Sequence, residues 1–296
     1  CIRDSTLTLP DIRGRLKILQ VHAAATALSG AVDLTAIARS TPGFSGAEIA
    51  NLVNEAALHA ARKGKERIEQ DDFEEAQDKI VMGLERKTMV VHQDARRLTA
   101  YHEAGHAVLA KLLPEADPLH KTTIIPRGRS LGLTQQMPID DHHAYTQSFL
   151  LNRIKILLGG RLAEELVFGR VTTGASNDLL VATRIAHRLV CEFGMSAQLG
   201  PVSCVGAGPE DGDRIAGDFW RQSQQTLREI DLEIMRLVQH SNEAARELLK
   251  AHNEFLHMVA ESLLAPEPLD GEAVDIVDRC VQNHMKLKVT LDETED

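Results

Sequence analysis

His102-Glu103-Ala104-Gly105-His106 is the stretch of this 296-residue chain that decides most about its fold and chemistry. In a helix, residues i and i+4 lie on one face, so His102 and His106 can offer two imidazole nitrogens to one metal ion. Glu103 is turned by about 100° around the helix axis, where its carboxylate can reach a water molecule at the metal instead of the metal. The motif therefore predicts a helix that carries the zinc site of a metalloprotease.

Two solvated histidines on a surface helix are the alternative explanation of the same motif. The intervening Gly105 argues against it, because Gly inside a helix costs about 1 kcal/mol relative to Ala. A helical Gly is often retained where another element packs closely against the backbone. The residues between the histidines thus favour a buried, functional helix.

A catalytic zinc ion takes three protein ligands and keeps one position for water, so a third ligand is expected downstream. Glu164 and Glu165 lie on a predicted helix and are one candidate pair. Asp178 begins another predicted helix after a loop of small residues, where it can also simply stabilise the helix dipole. From the residues alone, the two glutamates and Asp178 are equally good candidates for the third zinc ligand.

The composition limits the partners. A formal charge of −10 offers no basic surplus to neutralise phosphates, so nucleic acid is not an expected partner. The four cysteines form no C-x-x-C pair, which favours a reducing compartment. No run of eighteen apolar residues occurs, and we expect this chain to be soluble. Because it opens without an initiator Met, we also expect it to be part of a longer protein.

Few aromatic residues and many Ala, Leu and Glu favour helices over sheet. Asp11 and Ser45 are predicted helix N-caps, the latter with Glu48 in a capping box, and Asp94 is predicted to cap the zinc helix, which stops at Pro114. A β-branched segment interrupted by glycine, residues 119–137, is the predicted hairpin. Single helices are predicted near residues 12–22, 33–38, 46–63, 70–83, 144–167 and 177–192. Long amphipathic helices are predicted over about 217–264, and a short terminal helix from 271.

Several further motifs add to this prediction. LTAYHEAGHA (98–107), TPGFSGAEIANLVNEAAL (41–58), IPRG (125–128), the segment 159–169 and TGASNDL (173–179) resemble the FtsH-type AAA+ zinc metalloproteases, which are ATP-dependent and membrane-anchored. The similarity covers about residues 3–285, nearly the whole chain.

The resemblance implies a mainly α fold, in which a helical AAA+ lid precedes a mostly helical zinc peptidase domain with a small β-hairpin or sheet. Residues 1–84 would be the end of an AAA+ module with its lid, and residues 93–285 the peptidase domain. The acidic tail, residues 286–296, is expected to be disordered.

The resemblance also implies roles for single residues. Asp178 would be the third zinc ligand beside His102 and His106, which leaves Glu164 and Glu165 to support the ligands or pack the helix. Glu103 would be the general base. The segment 119–137 would supply an edge strand on which an unfolded substrate lies by strand addition.

A nucleotide site is implied only in part. Arg3 falls where the family places an arginine finger, and Gly46 and Ala47 lie at the lid-helix start that touches nucleotide. No G-x-x-x-x-G-K-[ST] motif occurs, so ATP and Mg²⁺ are expected in the full-length protein only.

The implied function is the zinc endopeptidase portion of a membrane-anchored, ATP-dependent protease that degrades unfolded or membrane proteins. The implied assembly is a homohexamer, with this part on the cytoplasmic side of a membrane or its organelle equivalent. The alternative is an inert zinc-motif module that serves assembly or binding in the same ring.

Overall fold

The computed structural model describes residues 8–84, 92–126, 131–137, 144–204, 222–265 and 268–280. Arg3, most of the connector 84–92 and the tail 286–296 lie outside these residues. The described chain is mainly helical with a little sheet, which confirms the predicted fold class. Its elements are α1 (Ile12–Ala23), α2 (Leu34–Ser40), α3 (Gly46–Arg62), α4 (Gln70–Met82), α5 (Gln93–Leu112), β1 (Leu119–Thr123), β2 (Leu133–Gln136), α6 (Gln147–Phe168), a 3₁₀ turn (Thr173–Ala175), α7 (Ser176–Cys191), α8 (Gln224–Ala251), α9 (Asn253–Leu263), β3 (Leu269–Asp270) and the helical residues 271–280.

The chain forms two compact units, Cys1–Val90 with Ile125–His143, and Val91–Ile124 with Ala144–Asp296. The domain limits expected at residues 84, 93 and 285 stay predictions. Within the described residues, no helix combines the length and the apolar composition needed to cross a membrane.

The first unit contains α1 to α4, and its helix starts are set by local side chains. Asp11 accepts a hydrogen bond from the Gly14 amide at 2.7 Å. Ser45 and Glu48 form the predicted capping box, in which the Ser45 amide donates to the Glu48 carboxylate at 2.7 Å. These caps satisfy amides that lack a partner in the first helical turn, so α1 and α3 begin where the sequence predicts.

The second unit is built around α5, which packs against α6 and α9. A Cβ atom on Gly105 of α5 would lie 2.3 Å from the carbonyl oxygen of Gly159 in α6. Only glycine at this crossing lets the two backbones approach so closely, which is the packing reason for Gly105 in the motif. The close approach brings α6 directly onto the face that carries the histidines.

One local prediction was wrong. Asp94 does not cap α5, which begins at Gln93 with His92 in the N-cap position and no side-chain cap; Asp94 lies in the first turn. The long helices expected over about 217–264 are α8 and α9, which are separated at His252; residues 217–221 of that region lie outside the described chain.

One strand of the sheet, β3, was not predicted. This two-residue strand follows Pro268 and pairs antiparallel with β1, Lys121 opposite Asp270 and Thr122 opposite Leu269. Strands do occur on both sides of the predicted hairpin turn, as β1 and β2, while the turn residues 127–130 are outside the described chain.

Candidate metal centre

Three side chains converge on one point. The Nε2 atoms of His102 and His106 are 3.1 Å apart, and Asp178 Oδ2 is 3.4 Å from the first and 3.6 Å from the second. The two histidines are one turn apart on α5, and Asp178 lies in the first turn of α7. Among the described residues, these three form the cluster of His, Cys, Asp or Glu that could hold a metal ion.

In each imidazole, Nδ1 (the outer nitrogen) lies at hydrogen-bonding distance from an acceptor, whereas Nε2 (the inner nitrogen) lies at the point of convergence. His102 Nδ1 lies 2.7 Å from Glu164 Oε1, and His106 Nδ1 lies 2.7 Å from the carbonyl oxygen of Ile156. A carbonyl oxygen can only accept, so the His106 proton belongs on Nδ1. An ionised carboxylate likewise places the His102 proton on Nδ1 when the ring is neutral. Both inner nitrogens then present lone pairs to each other and to a carboxylate, an arrangement that needs a cation between them.

The spacing of the donor atoms matches a zinc ion. Bonds of about 2.0–2.2 Å from zinc to nitrogen and oxygen give tetrahedral edges of about 3.3–3.6 Å between neighbouring donors. The separations of 3.4 and 3.6 Å lie in this range, and that of 3.1 Å lies just below it. Two imidazoles and one carboxylate are also a donor set that zinc commonly takes at a catalytic site, with one position left for water. The residues present therefore fit the metal that the motif implies.

Glu164 connects the histidine to the turn before α7. Its carboxylate is fully buried and also accepts hydrogen bonds from the Thr172 amide at 2.8 Å and the Thr172 hydroxyl at 3.2 Å. Burial raises the pKa of Glu164, but the hydrogen bonds from His102 and Thr172 outweigh burial and lower the pKa below its ordinary value. Glu164 thus stays ionised beside His102, and it is not the third converging donor.

Glu165, the other alternative, lies elsewhere. Its carboxylate pairs with Arg246 of α8 at 2.9 Å. Glu103, the predicted general base, is 6% exposed on α5 and lies close enough for its charge to raise the pKa of His102. Gly46 and Ala47 are the first two residues of α3, as expected for the lid helix, and Arg3 lies outside the described residues. The nucleotide contacts stay predictions.

Two partners of the centre were missed from the sequence. The contact of His106 with Ile156 uses the backbone carbonyl, so the residue type at position 156 does not indicate it. Gly160 lies beside both imidazoles, and the only sequence signal for it is the Gly159-Gly160 pair inside a predicted helix. A glycine pair in a helix indicates close packing but does not show what packs there.

The charges around the centre favour a cation. Burial lowers the pKa of His102, but hydrogen bonds to Asp178 and Glu164 and the charge of Glu103 outweigh it and raise that pKa to about 10. Burial acts against the ionised Asp178, yet the two imidazoles hold the pKa of its carboxyl well below the ordinary value. A proton on His102 and a metal ion therefore compete for the same negatively charged position.

This competition predicts a pH dependence of zinc binding. Because the metal-free His102 carries a proton below about pH 10, zinc must displace that proton, and the apparent zinc affinity should rise about tenfold per pH unit between about pH 7 and pH 9. Titration calorimetry in buffers of different ionisation enthalpy should report about one proton released per zinc ion. Zinc binding without proton release in this range would contradict the arrangement.

Comparison with known proteins agrees with this geometry. A family model described as peptidase family M41 matches residues 89–277, well over half of the chain. The chain belongs to peptidase family M41. In this M41 chain a second model, described as the AAA+ lid domain, matches residues 31–75.

Relatives of this M41 chain carry consistent names. It is 48% identical over 276 residues to an ATP-dependent zinc metalloprotease FtsH of Magnetococcus marinus, covering 92% of this chain and 41% of that protein. It is 48% identical to FtsH 4 of Sorangium cellulosum, covering 90% and 42%. Against the FtsH of Syntrophotalea carbinolica the identity is 47%, with 93% and 43% covered. The chain thus spans about two fifths of the length of these relatives.

Proposed function

We propose that this chain is the zinc endopeptidase portion of a membrane-anchored, ATP-dependent protease that degrades unfolded or membrane proteins. The observation that supports this most is the convergence of His102 Nε2, His106 Nε2 and Asp178 Oδ2 at the separations of a zinc site. Membership of family M41 and relatives named zinc metalloproteases support the reaction class.

In this proposal His102, His106 and Asp178 hold one zinc ion per chain. When bound, zinc supplies Lewis-acid chemistry, which acidifies water and polarises a peptide carbonyl. Glu103 is the general base: its carboxylate accepts a proton from the attacking water and returns that proton to the nitrogen of the leaving amine. Glu164 keeps the His102 ring in one orientation by accepting its Nδ1 proton.

Substrate binding would depend on the backbone of the substrate more than on its side chains. We infer that the segment 119–137, which contains β1 and β2, receives an unfolded polypeptide by strand addition. Such binding reads main-chain hydrogen-bonding groups, so cleavage should show low sequence specificity.

The larger assembly is also a proposal. Relatives named ATP-dependent support a full-length protein that binds ATP and Mg²⁺, with Gly46, Ala47 and Arg3 contributing to the nucleotide site. We propose that it forms a homohexamer anchored in a membrane, with this part on the cytoplasmic side or its organelle equivalent.

Metal removal tests the proposed function. The chain loaded with zinc should cleave casein, a substrate without a stable fold, and a chelator should abolish the cleavage because zinc supplies the Lewis acid. Adding zinc back should restore the activity, and adding magnesium, which prefers octahedral oxygen ligands, should not. Cleavage that persists without metal would contradict the proposal. A zinc-loaded protein that cleaves nothing would favour the inert module.

A further inference from the structure

Three residues of α6 face the two histidines of α5 at intervals of four residues. Residues spaced i, i+4 and i+8 lie along one side of a helix, and here they are Ile156, Gly160 and Glu164. The Ile156 carbonyl accepts from His106 Nδ1, and the Glu164 carboxylate is bonded to His102 Nδ1, each at 2.7 Å. Gly160 lies between these two anchors.

The space next to Gly160 is taken up by the inner ends of the two imidazoles. A Cβ atom added at Gly160 would lie 2.5 Å from His102 Nε2 and 2.6 Å from His106 Nε2. These are the two nitrogens that converge with Asp178, so the added carbon would overlap both of them at once. Carbon and nitrogen atoms that are not bonded do not come this close.

We propose that Gly160 determines whether this centre can hold a metal, because the absence of a side chain there leaves room for the two imidazole nitrogens that would bind the ion. This inference rests on the proposed function, since it concerns the same zinc ion. Gly160 acts as a positioning residue: it donates nothing to the metal, and it allows both imidazoles to keep their inner nitrogens directed at one point.

The imidazoles cannot easily move aside to admit a side chain. His106 is tied to the backbone of α6 through the Ile156 carbonyl, one helical turn before Gly160. His102 is tied to Glu164, which is held in turn by the Thr172 amide and hydroxyl. Rotating either ring away from an added Cβ would break its Nδ1 hydrogen bond in a buried site. If both rings rotated, the two Nε2 atoms would also move apart.

The neighbouring Gly159 has a different role. A Cβ atom there would meet the Gly105 carbonyl oxygen at 2.6 Å and Leu109 Cδ1 at 2.9 Å, which are atoms of the helix crossing. Gly159 therefore lets α5 and α6 pack, whereas Gly160 meets the ends of two side chains. In this pair, Gly159 permits the helices to pack and Gly160 leaves room at the metal site.

The test compares wild type, Gly160→Ala and Arg153→Ala, the last a control on an exposed side chain of α6. Zinc affinity is measured by competition with a chromophoric chelator, and the coordination of added Co²⁺ by its visible absorption. Circular dichroism and thermal melting of the chelated proteins report the fold without metal. We expect Gly160→Ala to lower zinc affinity by about 10–100-fold and to change the visible absorption of four-coordinate Co²⁺.

The metal-free form of Gly160→Ala should stay folded but melt below the metal-free wild type, because displacing the imidazoles weakens buried hydrogen bonds, and the greater helix propensity of Ala offsets only part of that loss. Arg153→Ala should bind zinc like wild type. Equal zinc affinity in Gly160→Ala and wild type would overturn the inference, and so would a metal-free variant that has lost its fold. A wild type that binds no zinc would instead contradict the proposed function.

Discussion

Glu103→Gln is expected to leave zinc bound while lowering the rate of casein cleavage by about 10²–10⁴-fold, the usual contribution of a general base. The side chain is 6% exposed on α5 beside His102, yet its carboxylate is not one of the three converging donors. Glutamine keeps the size of the side chain and cannot accept the proton, so the metal site and the fold should be preserved. Zinc content, kcat and melting temperature are measured on the same preparation.

Glu247→Gln is the matched control for this substitution. Glu247 is an exposed residue of α8 whose carboxylate pairs with Lys250 at 3.0 Å, so its loss of charge should leave cleavage and zinc content unchanged. A Glu103→Gln protein that cleaves casein at the wild-type rate would remove Glu103 from the mechanism.

Asp178→Ala is expected to have the largest effect on metal binding. It removes one of the three donors and the charge that most favours a cation beside His102. Residues that hydrogen-bond to a metal ligand typically contribute about 10–100-fold to metal affinity. Because Asp178 is itself a proposed ligand, its loss should lower zinc affinity by more than that. Because a ligand stabilises the fold by binding the native state only, zinc should raise the melting temperature of wild type and leave that of Asp178→Ala nearly unchanged.

A melting temperature that zinc raises equally in both proteins would show that Asp178 is not a ligand. Metal-free wild type and metal-free Asp178→Ala are the controls, since they separate any direct effect of Asp178 on the fold from its effect through the metal.

Features that depend on residues a few positions apart in the sequence were predictable. The capping box of Ser45 and Glu48 depends on a spacing of three residues, and the pairing of His102 with His106 depends on one helical turn. Both are local, so the sequence determines them before any tertiary packing forms. The Asp94 prediction was wrong because α5 begins earlier than expected: His92, two residues before Asp94, holds the N-cap position without a side-chain hydrogen bond.

The third donor could not be chosen from the residues alone. Glu164 and Asp178 are both carboxylates on helices far along the chain, and only tertiary packing turns the first towards the outer nitrogen of His102 and the second towards the inner one. The Ile156 contact is made by a backbone atom, and β3 has only two residues, so neither leaves a pattern in the sequence. Likeness to a known family, not chemistry, favoured Asp178.

The most direct test of the zinc centre is metal content by atomic emission on wild type, Asp178→Ala and Glu165→Ala. All three are dialysed together against the same limiting zinc, and casein cleavage is measured in the same samples. We predict about one zinc ion per chain and cleavage in wild type, full zinc retention in Glu165→Ala, whose carboxylate binds Arg246, and loss of both zinc and cleavage in Asp178→Ala. Zinc and cleavage retained in Asp178→Ala but lost in Glu165→Ala would contradict the ligand set.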